Sequence, residues 1–227
     1  KGYFVTINYN EKKFFKVLKK KTLELVKCKF ILIRQNPPFN LEYISTTYIL
    51  DSIKTKVKII NDPTSIRSIS EKLYSSKYQK YMPTTIFTQN IDEIKTFLSK
   101  NKKVILKPIH GYSGNGIHLL SRFKSNLIKR FIKKNGHIMC QKYLPKISNG
   151  DKRVFVINGK LCGVISRIPK KGSFLSNMSK GAKVTNTKLT KVEKQISNLI
   201  AKDLKKENIF FAGIDFIDQK LNGDINV

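Results

Sequence analysis

The hydrophobic and polar positions of this chain follow strand and helix periods in turn. Apolar runs at residues 30–33, 57–60 and 104–106 are typical of short strands, and the first and last of them predict buried strands. Residues 41–53 instead space their apolar side chains as a helix does. This alternation of strand and helix predicts an α/β layer.

The N-terminal stretch mixes apolar side chains with lysines. Tyr3, Val5 and Ile7 alternate with their neighbours as in a strand, and we expect the first ten residues to end an incomplete unit. Residues 12–27 are rich in lysine and also contain apolar side chains that are available to face a core. These apolar residues are Phe14, Phe15, Val17, Leu18, Leu23 and Leu25.

Capping signals mark further helices. Two pairs of residues have the spacing at which a helix cap is followed by a glutamate three positions later: Asn90 with Glu93, and Thr190 with Glu193. Residues 64–81 and 123–134 are also expected to be helical.

The C-terminal part of the chain is predicted to be antiparallel. Asn158-Gly159 lies between two strand-like runs and is a strong hairpin signal. Residues 209–217 predict another strand, whose return partner is expected to follow Asn222-Gly223. Between these hairpins, the polar residues 170–187 predict either a lid or a disordered connection.

The strand at residues 104–106 leads through Lys107 into a glycine-rich loop that contains Gly111, Gly114 and Gly116. Glycine allows positive φ and close backbone approach, so this loop can direct several N–H groups at an anion. Lys107 would add a positive charge beside them. The loop matches neither the P-loop nor the dinucleotide fingerprint, so this stretch alone fits a phosphate site or an ordinary glycine-rich turn.

Asp215, Asp224 and Asn226 form a second candidate site. Asp224 and Asn226 are two residues apart, so on a strand their side chains point to the same side, and Asp215 lies on the neighbouring strand. Hard oxygen ligands of this kind suit Mg²⁺. Surface carboxylates beside a turn are the alternative.

Composition limits the class of protein. The chain has 227 residues, enough for one large or two small domains, and it has no apolar run long enough for a membrane span. Its 45 basic and 15 acidic residues give a net charge of +30, which would attract nucleic acid or anionic membranes. However, the lysines are spread over the whole chain, which favours solvated lysine faces over a specific nucleic-acid surface. The three cysteines form no CxxC pair, as suits reduced thiols in the cytoplasm.

A series of short stretches occurs in a characteristic order. They are ILIRQNPPF (31–39), TYIL (47–50), SIR (65–67), EKL (71–73), LKP (106–108), QKYLP (141–145), GDKRV (150–154), RIP (167–169) and FAGID (211–215). These stretches resemble the prokaryotic-type glutathione synthetase family of the ATP-grasp superfamily. The resemblance implies an α/β ATP-grasp fold, in which α+β subdomains at 63–140 and 141–227 grip ATP. A partial Rossmann-like pre-ATP-grasp domain at 1–62 would precede them. We expect the C-terminal subdomain to be truncated.

The resemblance implies an ATP- and Mg²⁺-dependent ligase, with Mn²⁺ as the alternative ion. It would join γ-glutamylcysteine to glycine through an acyl phosphate and give glutathione. It also implies a cytoplasmic homo-oligomer, a tetramer by analogy, that binds no specific nucleic acid and no membrane.

The resemblance also assigns roles to individual residues. Those expected to bind ATP are Lys72, Lys107, Gly111, Gly114, Gly116, Gln141, Lys142, Tyr143, Leu144 and Asp151. Lys72 and Lys107 would hold the phosphates, and Asp151 would hold the ribose. The other expected site residues are Arg153 and Arg167 for catalysis, Arg34 and Asn177 for the substrate, and Asp215, Asp224 and Asn226 for the metal.

The chain also departs from the family. Asp224 stands where the family has Glu, and the turn from Asp215 holds one extra residue. The lid stretch 172–182 has Ser173, Phe174 and Leu175 where the family has Glu, Thr and Arg. These changes leave open a degenerate protein that binds nucleotide without ligation, or a ligase for another carboxylate.

The spacing between Arg153 and Arg167 is one residue shorter than in the family. Across a two-residue turn, that parity sends the two side chains to opposite faces of the hairpin. A β-bulge in one of the strands would bring them back to one face.

Overall fold

The computed structural model describes residues 2–8 and 14–227, and it has the mixed α/β architecture that the sequence predicts. The N-terminal part consists of β1 (Gly2–Ile7), β2 (Phe15–Lys21), β3 (Phe30–Leu32), α1 (Leu41–Asp51), β4 (Lys58–Ile60) and α2 (Pro63–Ser68). Residues 1 and 9–13, which belong to the predicted N-terminal strand and lysine-rich stretch, lie outside the described residues.

The first two strands form an antiparallel hairpin whose residues are all exposed. Phe14 is 70% and Phe15 is 59% exposed, and Val17, Leu18, Leu23 and Leu25 are exposed as well. The expectation that these side chains face a core is therefore wrong. The hairpin is a sheet of two strands. Its hydrophobic pattern predicted the strands but not whether another element packs on them.

Strands β3 and β4 pair in parallel, and α1 connects them. This is the strand–helix–strand crossover that the alternating pattern predicts. Phe30 is 52% and Leu32 is 54% exposed, so the prediction that β3 is buried is wrong. The sheet of β3 and β4 has only these two strands among the described residues, which leaves much of it uncovered.

Helix α1 begins after Asn40, whose side chain accepts a hydrogen bond from the Tyr43 N–H at 3.0 Å. Near its C-terminal end, Asp51 accepts a hydrogen bond at 2.7 Å from Arg67 of α2 and lies 2.7 Å from Lys54. The Arg67 guanidinium also stacks on the Tyr48 ring. These contacts fasten α1 to α2.

We expect Asp51→Asn to lower the free energy of unfolding by about 0.5–1 kcal/mol at pH 7, the size usual for a solvent-accessible ion pair. Hydrogen bonds from Lys54 and Arg67 lower the pKa of Asp51 to about 2, below its ordinary value of 3.8. The contribution should be complete above about pH 4 and should disappear as the pH falls towards 2. Urea unfolding of both proteins at pH 7 and at pH 3 measures this, and an equal difference at both pH values would contradict it.

The middle part contains β5 (Thr85–Thr88), α3 (Ile91–Asn101), β6 (Val104–Pro108), β7 (His118–Leu120), α4 (Ser125–Asn135) and β8 (Ile138–Lys142). Its strands form one sheet in the order β5-β8-β6-β7, and β6 is buried along its whole length. Apolar side chains of α3 and α4 pack on this sheet to form one core. The sheet thus fixes Lys107 at the end of a rigid strand.

The C-terminal part contains β9 (Asp151–Ile157), β10 (Lys160–Ile168), β11 (Lys183–Asn186), α5 (Lys191–Lys206), β12 (Phe211–Ile217) and β13 (Lys220–Asn226). The sheet order is β11-β10-β9-β12-β13, and α5 packs on it in a second core.

Both predicted helix caps are present. Asn90 accepts hydrogen bonds from the backbone of α3, and Thr190 and Glu193 form a reciprocal capping box on α5. The buried Glu193 carboxylate also binds Lys152 of β9 at 2.8 Å, which attaches α5 to the sheet.

Residues 64–81 do not form one helix as expected. Helix α2 ends at Ser68, and a 3₁₀ helix occupies Tyr74–Tyr81. Between them, the Glu71 carbonyl accepts a hydrogen bond from the Ile225 N–H at 3.0 Å. The break directs Glu71 and Lys72 towards β13.

The Asn158-Gly159 turn is confirmed, since both residues have positive φ between β9 and β10. The second turn lies elsewhere: Asp218 and Gln219 have positive φ and connect β12 to β13. Asn222-Gly223 lies within β13, where it belongs to a bulge.

A bulge between Leu161 and Gly163 shifts the register of β10. Arg167 is therefore opposite Asp151, two residues before Arg153 on β9. Directly opposed residues share a face, as do residues two apart on a strand. The bulge that the arginine spacing requires is thus present, and Arg153 and Arg167 lie on one face.

Candidate functional site

A cavity of about 350 Å³ lies between the middle sheet and the C-terminal sheet. Its size falls within the usual range for small-molecule sites. The sequence-predicted residues that line it are Lys72, Lys107, Gly111, Gly114, Gln141, Lys142, Tyr143, Leu144, Asp151, Arg153, Arg167, Asn177, Asp215, Asp224 and Asn226. Residues far apart in the chain thus converge on one cavity.

Two predicted residues are not in this lining. The guanidinium of Arg34 lies 4.8 Å from the centre of the Phe211 ring, and its neighbour Gln35 lines the cavity instead. Gly116 has a φ of +71°, and a Cβ atom there would lie 3.1 Å from Pro108 Cγ, so a larger residue would be strained at this position of the loop. Their roles in binding remain predictions.

Lys107 is 4% exposed and reaches from β6 across the cavity to β13. Its Nζ donates to the backbone carbonyl of Asn222 at 2.8 Å and to the Asn222 side chain at 3.1 Å. It also lies 3.5 Å from Asp224 Oδ2. Lys107 therefore connects the two sheets that enclose the cavity.

Lys72 approaches the same carboxylate from the other side. Its Nζ donates to the Gly111 carbonyl at 2.8 Å and to Glu71 at 3.1 Å, and it lies 3.5 Å from Asp224 Oδ1. Burial lowers the pKa of Lys72, but the charges of Asp224 and Glu71 outweigh this and raise it. Lys72 is thus a buried cation that touches the glycine loop.

Asp224 lies between these two ammonium groups. Burial by itself would raise its pKa, but the nearby Lys107 and Lys72 hold the pKa of Asp224 well below its ordinary value. Asn222 also donates a hydrogen bond to Asp224, at 3.1 Å. The carboxylate is therefore ionised at neutral pH.

Glu71 also lines the cavity, although the sequence analysis did not name it as a site residue. Burial, together with the adjacent Asp224 carboxylate, raises the pKa of Glu71 to about 7 despite Lys72. Ser70 also lines the cavity, and among the described residues its buried Oγ has no hydrogen-bond partner. Glu71 directly precedes Lys72 within the stretch EKL, and Ser70 comes just before it, so their position beside that lysine was the signal that could have revealed them.

Two arginines and two aspartates form a hydrogen-bonded network on the opposite wall. Arg153 binds both oxygens of Asp215, at 2.7 and 2.6 Å, and Arg167 approaches Asp215 Oδ2 at 2.9 Å. Arg167 also binds both oxygens of Asp151, at 2.8 and 2.5 Å. Burial lowers the pKa values of Arg153 and Arg167, but Asp215 and the rest of the network raise them overall.

Asp151 is almost completely buried, which raises its pKa despite the opposing effect of Arg167. Besides Arg167, it accepts a hydrogen bond from Ser176 Oγ at 2.6 Å. Asp151 therefore binds other site residues in this structure. Its expected contact with ribose remains a prediction.

The stretch 170–187 forms a 3₁₀ helix at Met178–Lys180 and strand β11, so the alternative of a disordered connection is wrong. Residues 174–177 line the cavity, and Lys180 Nζ binds Asn115 Oδ1 of the glycine loop at 2.8 Å. Gly114 has a φ of +72°, and a Cβ atom there would lie 2.5 Å from Asn177 Oδ1. The glycine is needed for this close approach.

The candidate metal ligands share the cavity, but they do not form a ready coordination shell. Asp215 is paired with arginines and Asp224 lies between lysines. Among the described residues, no group of three acidic, histidine or cysteine side chains is arranged to hold a metal ion. The oxygen donors of Asp215, Asp224 and Asn226 still fit a hard cation such as Mg²⁺ chemically, provided that Asp215 gives up arginine contacts.

In the part of the chain that the structure describes, no helix has the length and apolarity of a membrane span.

Two family models match the chain: the prokaryotic glutathione synthetase N-terminal domain at residues 2–67, and the ATP-grasp domain of the same enzyme at residues 71–227. They do not test the predicted domain limits at residues 62 and 140, which remain predictions.

Similar curated proteins include the glutathione synthetase of Buchnera aphidicola subsp. Baizongia pistaciae. It is 38% identical over 97% of this chain and 70% of its own length. The glutathione synthetase of Bradyrhizobium diazoefficiens is 33% identical over 87% of this chain. The matched region covers 64% of that relative.

Solved structures agree on the fold. D-cycloserine synthetase DcsG has a TM-score of 0.68 at 11% identity, over 92% of this chain and 78% of that one. D-alanyl-alanine synthetase A from Vibrio cholerae has a TM-score of 0.63 at 16% identity, over 99% of this chain and 73% of that one. At these identities the similarity establishes the ATP-grasp fold alone. Because both family models match the chain and its relatives exceed 30% identity, this chain belongs to the prokaryotic glutathione synthetase family.

Proposed function

We propose that this chain joins γ-glutamylcysteine to glycine at the expense of ATP and gives glutathione, ADP and phosphate. The observation that supports the proposal is that four cationic side chains line one cavity: Lys72, Lys107, Arg153 and Arg167. Phosphoryl transfer depends mostly on positioning and on stabilising negative charge, which is what such a cluster can supply.

In the first step, a carboxylate oxygen of the dipeptide attacks the γ-phosphorus of ATP. The bond from that phosphorus to the bridging oxygen breaks, and ADP leaves with the electron pair. Lys72 and Lys107 would hold the phosphates, because both end at the cavity as buried ammonium groups. Lys72 contacts the glycine loop and Lys107 contacts β13.

In the second step, the amine of glycine attacks the acyl carbon of the acyl phosphate. Phosphate leaves with the electrons of the C–O bond, and the new amide nitrogen loses a proton to solvent. Arg153 and Arg167 would stabilise the oxyanion of the tetrahedral intermediate and the departing phosphate. Their position on one face of the hairpin supports this role.

We infer that Mg²⁺ is the required ion, with Mn²⁺ as an alternative, and that Asp215, Asp224 and Asn226 would hold it. When bound, such an ion neutralises and orients the phosphate oxygens of ATP. The chain's own lysines and arginines supply the remaining positive charge.

We also propose that the protein works in the cytoplasm as a homo-tetramer. The free thiols of Cys28, Cys140 and Cys162 suit a reducing compartment. Burial raises the pKa of Cys140 to about 12, so this thiol is inert. Light scattering after size-exclusion chromatography tests the tetramer.

A phosphate-release assay with ATP and Mg²⁺ tests the reaction, with γ-glutamylcysteine and glycine omitted in turn. We expect full turnover only with both substrates, and a product with the mass of glutathione. Phosphate release that is equal with and without the dipeptide would contradict the proposal. Turnover with another carboxylate in place of the dipeptide would instead assign a different ligase activity.

A further inference from the structure

The lid segment, residues 172–182, reaches the arginine–aspartate network through Ser176. This side chain is buried, and its Oγ donates to Asp151 Oδ2 at 2.6 Å. The same carboxylate accepts two hydrogen bonds from Arg167. The lid is therefore hydrogen-bonded to Asp151, the carboxylate that also binds Arg167.

Asp151 depends on each of these donors because it is only 2% exposed. A buried carboxylate without hydrogen-bond donors is costly. Arg167 supplies two of the donors and Ser176 supplies a third. The Ser176 hydroxyl thus satisfies a charge that would otherwise be left partly unpaired.

The network continues from Asp151 to the candidate metal ligand. Arg167 also contacts Asp215, and Asp215 binds Arg153 through both of its oxygens. Ser176 consequently stands at one end of a continuous run of polar contacts that includes both arginines.

The lid meets the glycine loop directly after Ser176. Asn177 packs against Gly114, and Lys180 binds Asn115 of that loop at 2.8 Å. Lys180 is exposed, so its contact is weak on its own. The contact of Ser176 is the stronger attachment, because both of its partners are buried, whereas Lys180 is open to solvent.

We propose that Ser176 is a positioning residue, whose hydroxyl holds the lid segment over the cavity at a fixed position relative to Arg167. The importance of this position for catalysis rests on the proposed ligase function. The attachment of the lid by Ser176 does not depend on that function. This role could not be predicted from the sequence, because Ser176 lies within a polar stretch that contains other serines.

Amide hydrogen exchange of the substrate-free protein, followed by mass spectrometry, tests this attachment. In Ser176→Ala we expect the peptide that covers residues 172–182 to exchange about tenfold faster or more, the effect of losing a hydrogen bond to a charged group. Exchange in α5, which does not belong to the lid, should change far less, because the lid would open locally. The melting temperature should fall by only a few degrees, since the lost hydrogen bond also weakens the closed native state.

Ser173→Ala is the matched control. Ser173 lies in the same segment, and its hydroxyl accepts a hydrogen bond from the Leu175 N–H within the lid. We expect a much smaller change in lid exchange there. Ser176→Thr keeps a hydroxyl and should restore slow exchange.

The proposal is overturned if the lid of Ser176→Ala exchanges at the wild-type rate, or if Ser173→Ala has an equal effect. If the lid of Ser176→Thr exchanges as fast as the lid of Ser176→Ala, the hydroxyl is not what holds the lid, and this result also contradicts the proposal. The measurement needs no substrate and no turnover. A negative phosphate-release assay would therefore refute the proposed reaction and leave the exchange result to decide the role of Ser176.

Discussion

Lys107→Met should reduce ATP-dependent turnover by about a hundredfold or more, the loss expected when one stabilising group is removed from such a site. Met keeps most of the length of the side chain but lacks the ammonium group that lies between Asn222 and Asp224. We expect weaker binding of ATP and ADP as well. Calorimetric titration with ADP, together with initial rates, measures both effects.

Lys124→Met is the matched control. Lys124 is an exposed lysine at the N-terminal end of α4, and it does not line the cavity. If the high net charge alone attracted nucleotide, the two variants would weaken binding equally, and both effects would fade with added salt. We expect only Lys107→Met to show a loss that persists at physiological salt.

The stability of Lys107→Met needs a separate measurement. Removing one partner of a buried ion pair leaves the other charge uncompensated, at a cost of up to about 3–5 kcal/mol. Asp224 retains Lys72 as a partner, so the loss should be smaller than that. Rates must therefore be compared at a temperature where thermal unfolding curves show both proteins to be folded.

Patterns of residues that are close in sequence predicted much of the fold. Thr190 and Glu193 fixed the start of α5, because a capping box needs only residues that are close in sequence. Side chains alternate with a strict period of two, so the even separation of Arg153 and Arg167 meant that a β-bulge in one strand was needed to bring them to one face. The structure has this bulge in β10.

Long-range burial and partner choice could not be predicted from the same signals. The pattern of Phe14 and Phe15 indicates apolar residues but does not specify a surface to cover them, and both are exposed. Asn222-Gly223 has the strongest local turn signal in its hairpin, yet Asp218 and Gln219 make the turn. The pairing of β12 with β13 decided this outcome over local preference.

The arginine–aspartate network at the site could not be predicted from residues that are close in sequence either. Asp215 looked like a free metal ligand because its partners, Arg153 and Arg167, are far away in the sequence. Only the adjacent strands β9, β10 and β12 bring these side chains together. Most of the residues that the sequence predicted for the site do line the cavity, but their pairing could not be predicted.

Asp224 is the residue on which the proposed metal site depends most. The register of β12 and β13 shifts so that residues 222–224 lie opposite Asp215. This bulge brings the carboxylate of Asp224 to 3.5 Å from Nζ of both Lys72 and Lys107. The extra residue in the hairpin can thus compensate for an aspartate that is one methylene shorter than the family's glutamate.

On this argument, Asp224→Asn should lower turnover by about a hundredfold or more, because it removes a negative charge that would hold the ion. Asp224→Glu should also impair turnover, since the strand has already moved to suit the shorter side chain and Mg²⁺ tolerates poor geometry badly. Turnover measured across a range of Mg²⁺ concentrations should show a raised metal requirement for both variants. Asp218→Asn, in the exposed turn of the same hairpin, should behave like the wild type. If Asp224→Glu instead raises activity from near zero, the site has decayed and the chain binds nucleotide without efficient ligation.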